Sequence, residues 1–236
     1  AIRHGYIDCA LAGGAESMMN DCTVAAWERL GALAKEHADG PAASCRPFAL
    51  DRTGFVLGEG AAMLILESEQ RARARGAKPI AEIVGFGCSS DAHNLTQPLP
   101  EGQTTAMTRA LQDAQIDARA VRYINAHATA TPAGDKAEVA AVKQTFGEYA
   151  QRIAVSSTKS MHGHLVGAAG ALELAVTAYA VEQGRIPPTI NLTSPDPECD
   201  LDFVPEGVRS APDLEYALSN SFGFGGSNAA VIVKRI

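Results

Sequence analysis

Paired cysteines, a surplus of basic charge and long apolar runs are all missing from this 236-residue sequence. Its five cysteines are scattered: Cys9, Cys22, Cys45, Cys88 and Cys199. The odd number and the lack of any CxxC pair argue against a disulfide framework or a zinc knuckle and suit a reducing cytosol. No apolar run reaches about 18 residues, and the first residues do not resemble a signal peptide. We therefore expect a cytoplasmic protein with no membrane partner.

Acidic residues outnumber basic ones, 27 against 20, which gives a net charge of −7. A sequence with this balance offers no basic surface for nucleic acid. The densest basic run is Arg71, Arg73, Arg75 and Lys78. A solvated helix end is the simpler interpretation of that run, and a docking patch for an acidic protein is the alternative.

Short apolar runs alternate with helical patterns along most of the chain. The predicted strands cover residues 7–11, 61–66, 80–87, 121–126, 153–156, 216–220 and 229–234. The predicted helices cover residues 68–75, 104–114, 136–146 and 165–183. We expect the first two strands to be buried, because their apolar runs are continuous. The alternation indicates a layered α/β fold, which we divide near Gly76 into units 1–77 and 78–236.

The first polar motif is NAHATATPAGD, residues 125–135, at the end of a predicted buried strand. Ligands of α/β sheets bind at such strand ends, so His127 is a candidate functional residue. A histidine that is merely hydrogen-bonded within the core is the alternative for this residue taken alone.

The second motif is KSMHGHLVGAAG, residues 159–170, between a strand and an apolar helix. Each glycine there costs helix stability, about 1 kcal/mol relative to alanine. A close approach to another backbone or to a ligand would explain this density of small residues. Glu173 follows amid apolar neighbours, where a carboxylate needs a cationic partner, and Lys159 is the obvious candidate.

The third motif is NSFGFGGSN, residues 220–228, between two predicted strands. It lacks the GxGxxG spacing, and no helix follows it, which argues against a dinucleotide loop. It is either a glycine-rich hairpin turn or a turn that offers backbone N–H groups to a developing negative charge. A zinc site built from His127, His162 and His164 is a further alternative, although the HExxH pattern is absent.

Together the three motifs resemble those of the β-ketoacyl-acyl carrier protein synthases, most closely the type II condensing enzymes. That family carries NAHGTSTPxGD, KSxxGHxxGAAG and NSFGFGGxN in this order. Further similar stretches are LAGGAES, RPFALDRTGFVLGEGA, PPTINL and CDLDFVP, so the resemblance covers essentially the whole chain. Three residues depart from the family pattern: Ala128 replaces Gly, Ala130 replaces Ser and His162 replaces Thr. These departures bear on acyl-chain preference more than on the chemistry.

The resemblance implies a thiolase-like layered αβαβα fold. Residues 78–236 would form the complete second half, and residues 1–77 would be the last strands and a cap segment of a first half that is largely missing. The family's nucleophilic cysteine would lie upstream of Ala1, and we expect none of the five cysteines to stand at a helix N-terminus or to act as the nucleophile. The 236 residues alone should then have no condensing activity.

The reaction implied is a decarboxylative Claisen condensation of malonyl-acyl carrier protein with an enzyme-bound acyl thioester. His127 and His164 would donate hydrogen bonds to the malonyl thioester oxygen. The backbone N–H of Phe224 would help to stabilise the acyl thioester oxygen, and its side chain would gate the acyl pocket. We therefore expect both imidazoles to face one cavity that Phe224 also lines.

Other residues take supporting roles by the same resemblance. Lys159 would orient the site together with Glu173, and Asp135 would support the His127 turn. Thr129 and Thr131 would hydrogen-bond the phosphopantetheine arm. No metal and no resident cofactor would be needed, because the phosphopantetheine arrives on the acyl carrier protein. The intact protein would be a homodimer in which the first predicted strand pairs with its twin.

Two alternatives come from other classes of protein. One is a non-catalytic partner subunit that sets chain length in a heterodimer with a true synthase. Retention of both histidines and of Lys159 argues against it. The other is a thiolase, but no CxG cysteine occurs in the sequence.

Overall fold

The computed structural model describes residues 1–236. The strands are β1 (Cys9–Glu16), β2 (Gly60–Glu67), β3 (Glu82–Ser90), β4 (Val121–Asn125), β5 (Ala154–Ser156), β6 (Arg185–Ile186), β7 (Arg209–Ser210), β8 (Tyr216–Gly223) and β9 (Ser227–Lys234). The α-helices are α1 (Asp21–Arg29), α2 (Glu69–Ala74), α3 (Pro100–Ala114), α4 (Pro132–Phe146), α5 (Lys159–His162) and α6 (Ala169–Gln183). Short 3₁₀ turns join several of them. No helix is both long enough and apolar enough to cross a bilayer.

A five-stranded mixed sheet in the order β3-β9-β8-β4-β5 forms the centre of the fold. Strand β4 runs parallel to both β5 and β8, whereas β9 is antiparallel to β8 and β3. Ile124 pairs with Val155 on one side and with Leu218 on the other, and all three are buried. The carboxyl ends of β4 and β5 therefore meet at one edge, where the polar motifs begin.

The elements stack in four layers of alternating type. Helices α3 and α4 pack together, and α3 covers β3 and β9 on one face of the sheet. Helix α6 contacts β8 and β9 as well as β1 and β2, so it lies between the central sheet and the two-stranded sheet formed by β1 and β2. The predicted layered α/β architecture is confirmed.

The expectation that β1 and β2 are buried strands is wrong. Exposed and less exposed residues alternate along β1, and Leu11 and Met63 are exposed. Ile65 of β2 keeps 69% of its surface accessible. The antiparallel pair packs one face on α6, and its continuous apolar sequence leaves an apolar second face uncovered.

The predicted helix over residues 165–183 begins later than expected. Val166–Ala168 forms a 3₁₀ turn, with Val166 at a φ of 43°, and the α-helix starts only at Ala169. Helix α1 was not predicted; Asn20 caps it by accepting a hydrogen bond from the Thr23 N–H at 3.1 Å.

Close backbone contacts explain the small residues of the second motif, as predicted. A Cβ atom added to Gly14 of β1 would lie 3.0 Å from the Cα of Ala168. A Cβ at Gly170 would lie 3.0 Å from the Ser221 hydroxyl. The glycines thus let β1 and β8 approach the start of α6.

Three of the four residues of the basic run at α2 are matched by carboxylates. Arg71 and Arg75 both pair with Glu67, and Arg73 pairs with Glu69. Such exposed pairs favour the simpler interpretation of a solvated helix end.

Candidate active site

The loop after β4 presents His127 and is held from beneath by a buried carboxylate. Glu138 of α4 accepts the backbone N–H of His127 at 2.9 Å and that of Ala128 at 2.7 Å. The Asn220 amide of β8 donates to the same carboxylate at 3.0 Å. Burial raises the pKa of Glu138. Because backbone donors and an amide surround Glu138, the position of His127 is fixed at its main chain.

A second buried carboxylate, Asp135, supports the same loop further on. It accepts the N–H of Ala130 at 3.1 Å, where φ is 67°, and the N–H of Phe48 at 2.8 Å. The buried Arg52 guanidinium lies 3.3 Å from it and also donates to the carbonyl oxygen of Thr131 at 3.2 Å. Burial raises the pKa of Asp135 to about 7, against the opposing effect of Arg52. The Asp135 contacts match the predicted support of the turn.

His164 is built into a small parallel bridge with a distant segment. Its N–H donates to the carbonyl oxygen of Val56 at 2.7 Å, and its own carbonyl accepts the N–H of Gly58 at 3.1 Å. The ring Nδ1 lies 3.3 Å from the N–H of Val166 and accepts a hydrogen bond from it. A neutral His164 therefore carries its proton on Nε2, which leaves that N–H as its free donor.

The two imidazoles meet, as predicted from the motifs. The ring centroids of His127 and His164 are 5.4 Å apart with an interplanar angle of 84°. Phe55 packs edge-on against His164, and Phe222 packs against His127. The aromatic neighbours limit water around both imidazole rings. The remaining open surface of the two imidazoles faces the cavity described below.

Both histidines are held in the neutral form. Burial and the positive charge of Lys159 lower the pKa of His164 to about 3. Burial and, to a smaller extent, the charge of Lys159 also hold the pKa of His127 well below its usual range. Each neutral imidazole keeps one N–H, so both rings can donate a hydrogen bond to an oxygen in the cavity while remaining uncharged.

Lys159 and Glu173 form the predicted ion pair, fully buried beneath the histidines. Burial raises the pKa of Glu173 to about 7, and Lys159 opposes that shift. A buried pair of this kind is strongly destabilising to break, since either partner alone is an uncompensated charge.

The third motif forms the opposite wall as a tight turn between β8 and β9. Gly225 and Gly226 have φ angles of 77° and 76°, in the left-handed region that favours glycine. The Gly225 N–H donates to the carbonyl oxygen of Leu95 at 2.8 Å, and the Asp91 N–H donates to that of Gly226 at 2.9 Å. No helix follows the turn, which agrees with the argument against a dinucleotide loop.

One cavity of about 980 Å³ joins these elements. It is lined by both histidines and Phe224, as expected, and by Thr129 and Thr131. The two threonine hydroxyl oxygens lie 3.1 Å apart and hydrogen-bond each other. Sequence reasoning missed Trp27, which also lines the cavity and packs on Phe224 with ring centroids 5.7 Å apart.

The zinc alternative is not supported by the position of His162. Its Nδ1 lies 2.7 Å from the Gly163 carbonyl oxygen, and its Nε2 lies 3.0 Å from the Thr158 hydroxyl. With both ring nitrogens engaged in this way, His162 does not join the two cavity histidines as a ligand.

The five cysteines differ in burial and in whether they line the cavity. Burial raises the pKa of the Cys45 thiol to about 11 and that of Cys199 to about 12. Cys9 is exposed on β1, and Cys88 lines the cavity from β3. The exposed Cys22 lies in the first turn of α1, so the expectation that no cysteine stands at a helix N-terminus is wrong; helix α1 itself had not been predicted.

Two family models match the chain. The model described as "Beta-ketoacyl synthase, C-terminal domain" matches residues 80–193, and "Beta-ketoacyl synthase, N-terminal domain" matches residues 1–72. The chain is 46% identical over 236 residues to "3-oxoacyl-[acyl-carrier-protein] synthase 2" of Staphylococcus aureus (strain COL). The match covers 99% of this chain and 56% of that protein, so the chain spans little more than half of its relative.

Solved structures share the fold over the whole chain. A β-ketoacyl synthase from Burkholderia phymatum STM815 superposes with a TM-score of 0.93 at 45% identity, covering 100% of this chain and 56% of its own. A type II PKS acyl-carrier protein in complex with its ketosynthase bound to the hexaketide gives a TM-score of 0.94 at 38% identity, covering 100% and 58%. These matches confirm the layered thiolase-like fold.

Proposed function

The chain belongs to the β-ketoacyl synthase family, and on that premise we propose that the protein is a condensing acyltransferase. The reaction joins malonyl-acyl carrier protein to an enzyme-bound acyl thioester in the elongation of a fatty acid or a related polyketide. The observation that carries the proposal is the pair of neutral imidazoles, 5.4 Å apart, in the wall of one large cavity.

The chemistry has two stages. A cysteine thiolate attacks the acyl thioester of the carrier protein, so the acyl group moves to the cysteine and the carrier thiol leaves. Malonyl-carrier protein then loses CO₂, and the electron pair of the broken bond forms an enolate. The enolate carbon attacks the acyl carbon, a carbon–carbon bond forms, and the cysteine thiolate is released.

The histidines are placed to stabilise the enolate. Nε2–H of His164 is its free donor, and His127 faces it across the same space. Removing one such donor typically raises the barrier by about 2.7–4 kcal/mol. Burial and the positive charge of Lys159 keep both imidazoles unprotonated, so the donors stay neutral while negative charge develops on the substrate.

The remaining roles follow the family. The Phe224 N–H would donate to the acyl thioester oxygen, and its ring would gate the acyl pocket, since 45% of the residue surface is exposed. Thr129 and Thr131 would receive the phosphopantetheine arm, since their hydroxyls line the same cavity. Asp135 would keep the loop between them in place.

We propose that the nucleophilic cysteine lies outside these 236 residues. Cys45 and Cys199 are buried with raised pKa values, and neither Cys9 nor Cys22 lines the cavity. Cys88 does line it and is the residue that a test must exclude. The 236 residues alone should then be inactive, and Cys88→Ala should leave acyl transfer by the complete gene product intact.

Partners and cofactors belong to the same proposal. The substrates would arrive on acyl carrier protein, a second copy of the protein would pair with it, and no resident cofactor would be needed. The uncovered apolar face of β1 and β2 is consistent with a partner surface. We also propose a cytosolic location and a boundary between units 1–77 and 78–236. One family model ends at residue 72 and the other begins at residue 80, which supports that boundary.

The test separates the two half-reactions in the complete gene product. His127→Ala should reduce CO₂ release from malonyl-carrier protein at least about a hundredfold, in line with the loss of an oxyanion donor, while acyl transfer to cysteine is partly kept. His93→Ala, at an exposed position, is the control. Equal loss of both half-reactions in a folded variant would contradict the assigned roles. A wild-type protein with neither activity would favour the non-catalytic partner subunit.

A further inference from the structure

Gln103 is a buried polar residue that the mechanism above does not use. It lies in the first turns of α3, and only 1% of its surface is exposed. It contributes to the wall of the same cavity as the histidines and threonines. Its amide Oε1 has no hydrogen-bond partner in the protein. Buried polar groups without partners are rare enough that each requires an explanation.

Several polar residues that line the same cavity as Gln103 are paired with other groups. The Ser89 hydroxyl donates to the carbonyl oxygen of Gly102 at 2.5 Å. The Asn228 amide donates to Asp91 at 2.7 Å and to the carbonyl oxygen of Gly226 at 3.0 Å. Thr129 and Thr131 bond each other. The donors of Ser89 and Asn228 are therefore committed to other acceptors, and Gln103 Oε1 is left without a donor.

An unpaired amide at this depth lowers the stability of the free protein. Burying an unsatisfied polar group opposes folding. The next buried positions along the helix, Ala106 and Met107, carry apolar side chains and have no such cost. A ligand that fills the cavity and presents a hydrogen-bonding group would remove that cost on binding. A carboxamide has one acceptor and two donors, and a secondary amide, with one of each, complements it in both respects.

We propose that Gln103 is a substrate-binding residue that hydrogen-bonds an amide group of the pantetheine arm; this rests on the proposed function. The arm is a flexible chain with secondary amides along it. Thr129 and Thr131 hydrogen-bond the arm through their hydroxyl groups. Gln103 hydrogen-bonds it through a carboxamide, which can both donate to and accept from an amide of the arm. The residue then contributes to binding of the arm and not to the bond-forming step.

The experiment uses the complete gene product and two carrier-free substrates. Malonyl-pantetheine contains the amides, and the malonyl thioester of ethanethiol contains none. Gln103→Met should raise KM for decarboxylation of malonyl-pantetheine about three- to tenfold, the range expected for one neutral hydrogen bond, with kcat nearly unchanged. With the ethanethiol substrate the variant and the wild type should be equal. Gln112→Met, on the exposed face of the same helix, is the matched control.

Thermal unfolding separates this role from a structural one. If Gln103 serves the ligand, Gln103→Met should keep or raise the Tm, since it removes an unsatisfied group from the interior. A lower Tm with equal KM increases for both substrates would overturn the inference, as would an unchanged KM for malonyl-pantetheine. Either result leaves the proposed function standing if the wild type decarboxylates both substrates. A wild type that decarboxylates neither overturns both.

Discussion

The loop that carries His127 and the turn that carries Phe224 line one cavity, yet they are held in different ways. Two buried carboxylates, Glu138 and Asp135, accept the backbone N–H groups of the loop. The turn is fixed mainly by backbone hydrogen bonds to the segment around Asp91 and Leu95, and Phe224 remains 45% exposed. Under the proposed function, the loop would be the fixed wall, where negative charge develops on the substrate, and the turn would be the wall that yields to the substrate.

The largest effect is expected where the fixed wall loses its support. Glu138→Ala leaves the N–H groups of His127 and Ala128 without acceptors, and leaves the Asn220 amide only the Met107 sulfur, 3.5 Å away. The free energy of unfolding, measured by urea denaturation, should fall by about 3 kcal/mol or more, because each buried unsatisfied group costs roughly 1–3 kcal/mol. The exposed Glu148→Ala is the control. A loss below about 1 kcal/mol for Glu138→Ala would remove the distinction between the two walls.

A second test uses pH, because burial and Lys159 hold both His127 of the fixed wall and the neighbouring His164 in the neutral form. The pKa of His164 is about 3 in the folded protein against an ordinary value of 6.5. The unfolded chain therefore binds more protons below pH 6.5, and the contribution of His164 to stability is present above that pH and is lost as the pH falls.

The expected size of this contribution is about 2 kcal/mol at pH 5 relative to pH 7.5. Buried carboxylates with raised pKa values, such as Asp135 and Glu173, act in the opposite direction, so the wild type alone is not informative. The difference between wild type and His164→Gln isolates the histidine, and His93→Gln is the matched control. Parallel pH profiles for wild type and His164→Gln would show that the ring is not protected from protonation.

A third test compares the effect of alanine substitution at two neighbouring glycines of the turn. Gly225 and Gly226 have almost the same positive φ, so alanine costs roughly 1–2 kcal/mol at either from backbone strain. A Cβ at Gly225 meets open space, whereas one at Gly226 would lie 2.7 Å from the Asp91 carboxyl carbon. Gly226→Ala should therefore be less stable than Gly225→Ala by about 1 kcal/mol in the same denaturation assay. Equal losses would mean that the turn shifts freely away from Asp91.

The smallest effect is expected at the aromatic contact on the yielding wall. Trp27 packs on Phe224 at 5.7 Å and on Phe55 at 5.3 Å between ring centroids. A double-mutant cycle of Trp27→Leu with Phe224→Leu should give a coupling energy of about 0.5–1 kcal/mol. The cycle with Phe55→Leu serves as the comparison. A coupling near zero for Phe224 would show that its ring is not restrained by Trp27.

The sequence predicted the parts of the site that depend on strand ends and motif order. The strands that end near residues 126 and 156 were recognised by their apolar runs, and the meeting of His127 with His164 was implied by the resemblance of the motifs to those of the family. The buried pair of Lys159 and Glu173 was predicted because a carboxylate among apolar residues needs a cation. The same signal was present at Glu138, which lies between Ala137 and Val139, but in an amphipathic helix a glutamate is usually assigned to the solvent face.

The errors share a physical cause, since burial depends on neighbours that are distant in sequence. The apolar runs of β1 and β2 predicted buried strands, but α6 covers only one face of their sheet. Arg52 and Gln103 are buried although their residue types are usually exposed. Their burial is set by the loop after β4 and by the cavity wall, neither of which is visible in local periodicity.

The bridge between His164 and Leu57 also bears on the order of folding. The backbone of this histidine is positioned by hydrogen bonds to Val56 and Gly58, which are far from it in sequence, and such non-local contacts form slowly because a long loop must close first. Helices α3, α4 and α6 depend on local hydrogen bonds and can form earlier. During refolding, the helical circular dichroism should therefore recover before His127 and His164 reach their final positions, so a refolding chain would have native helix content before the cavity wall is complete.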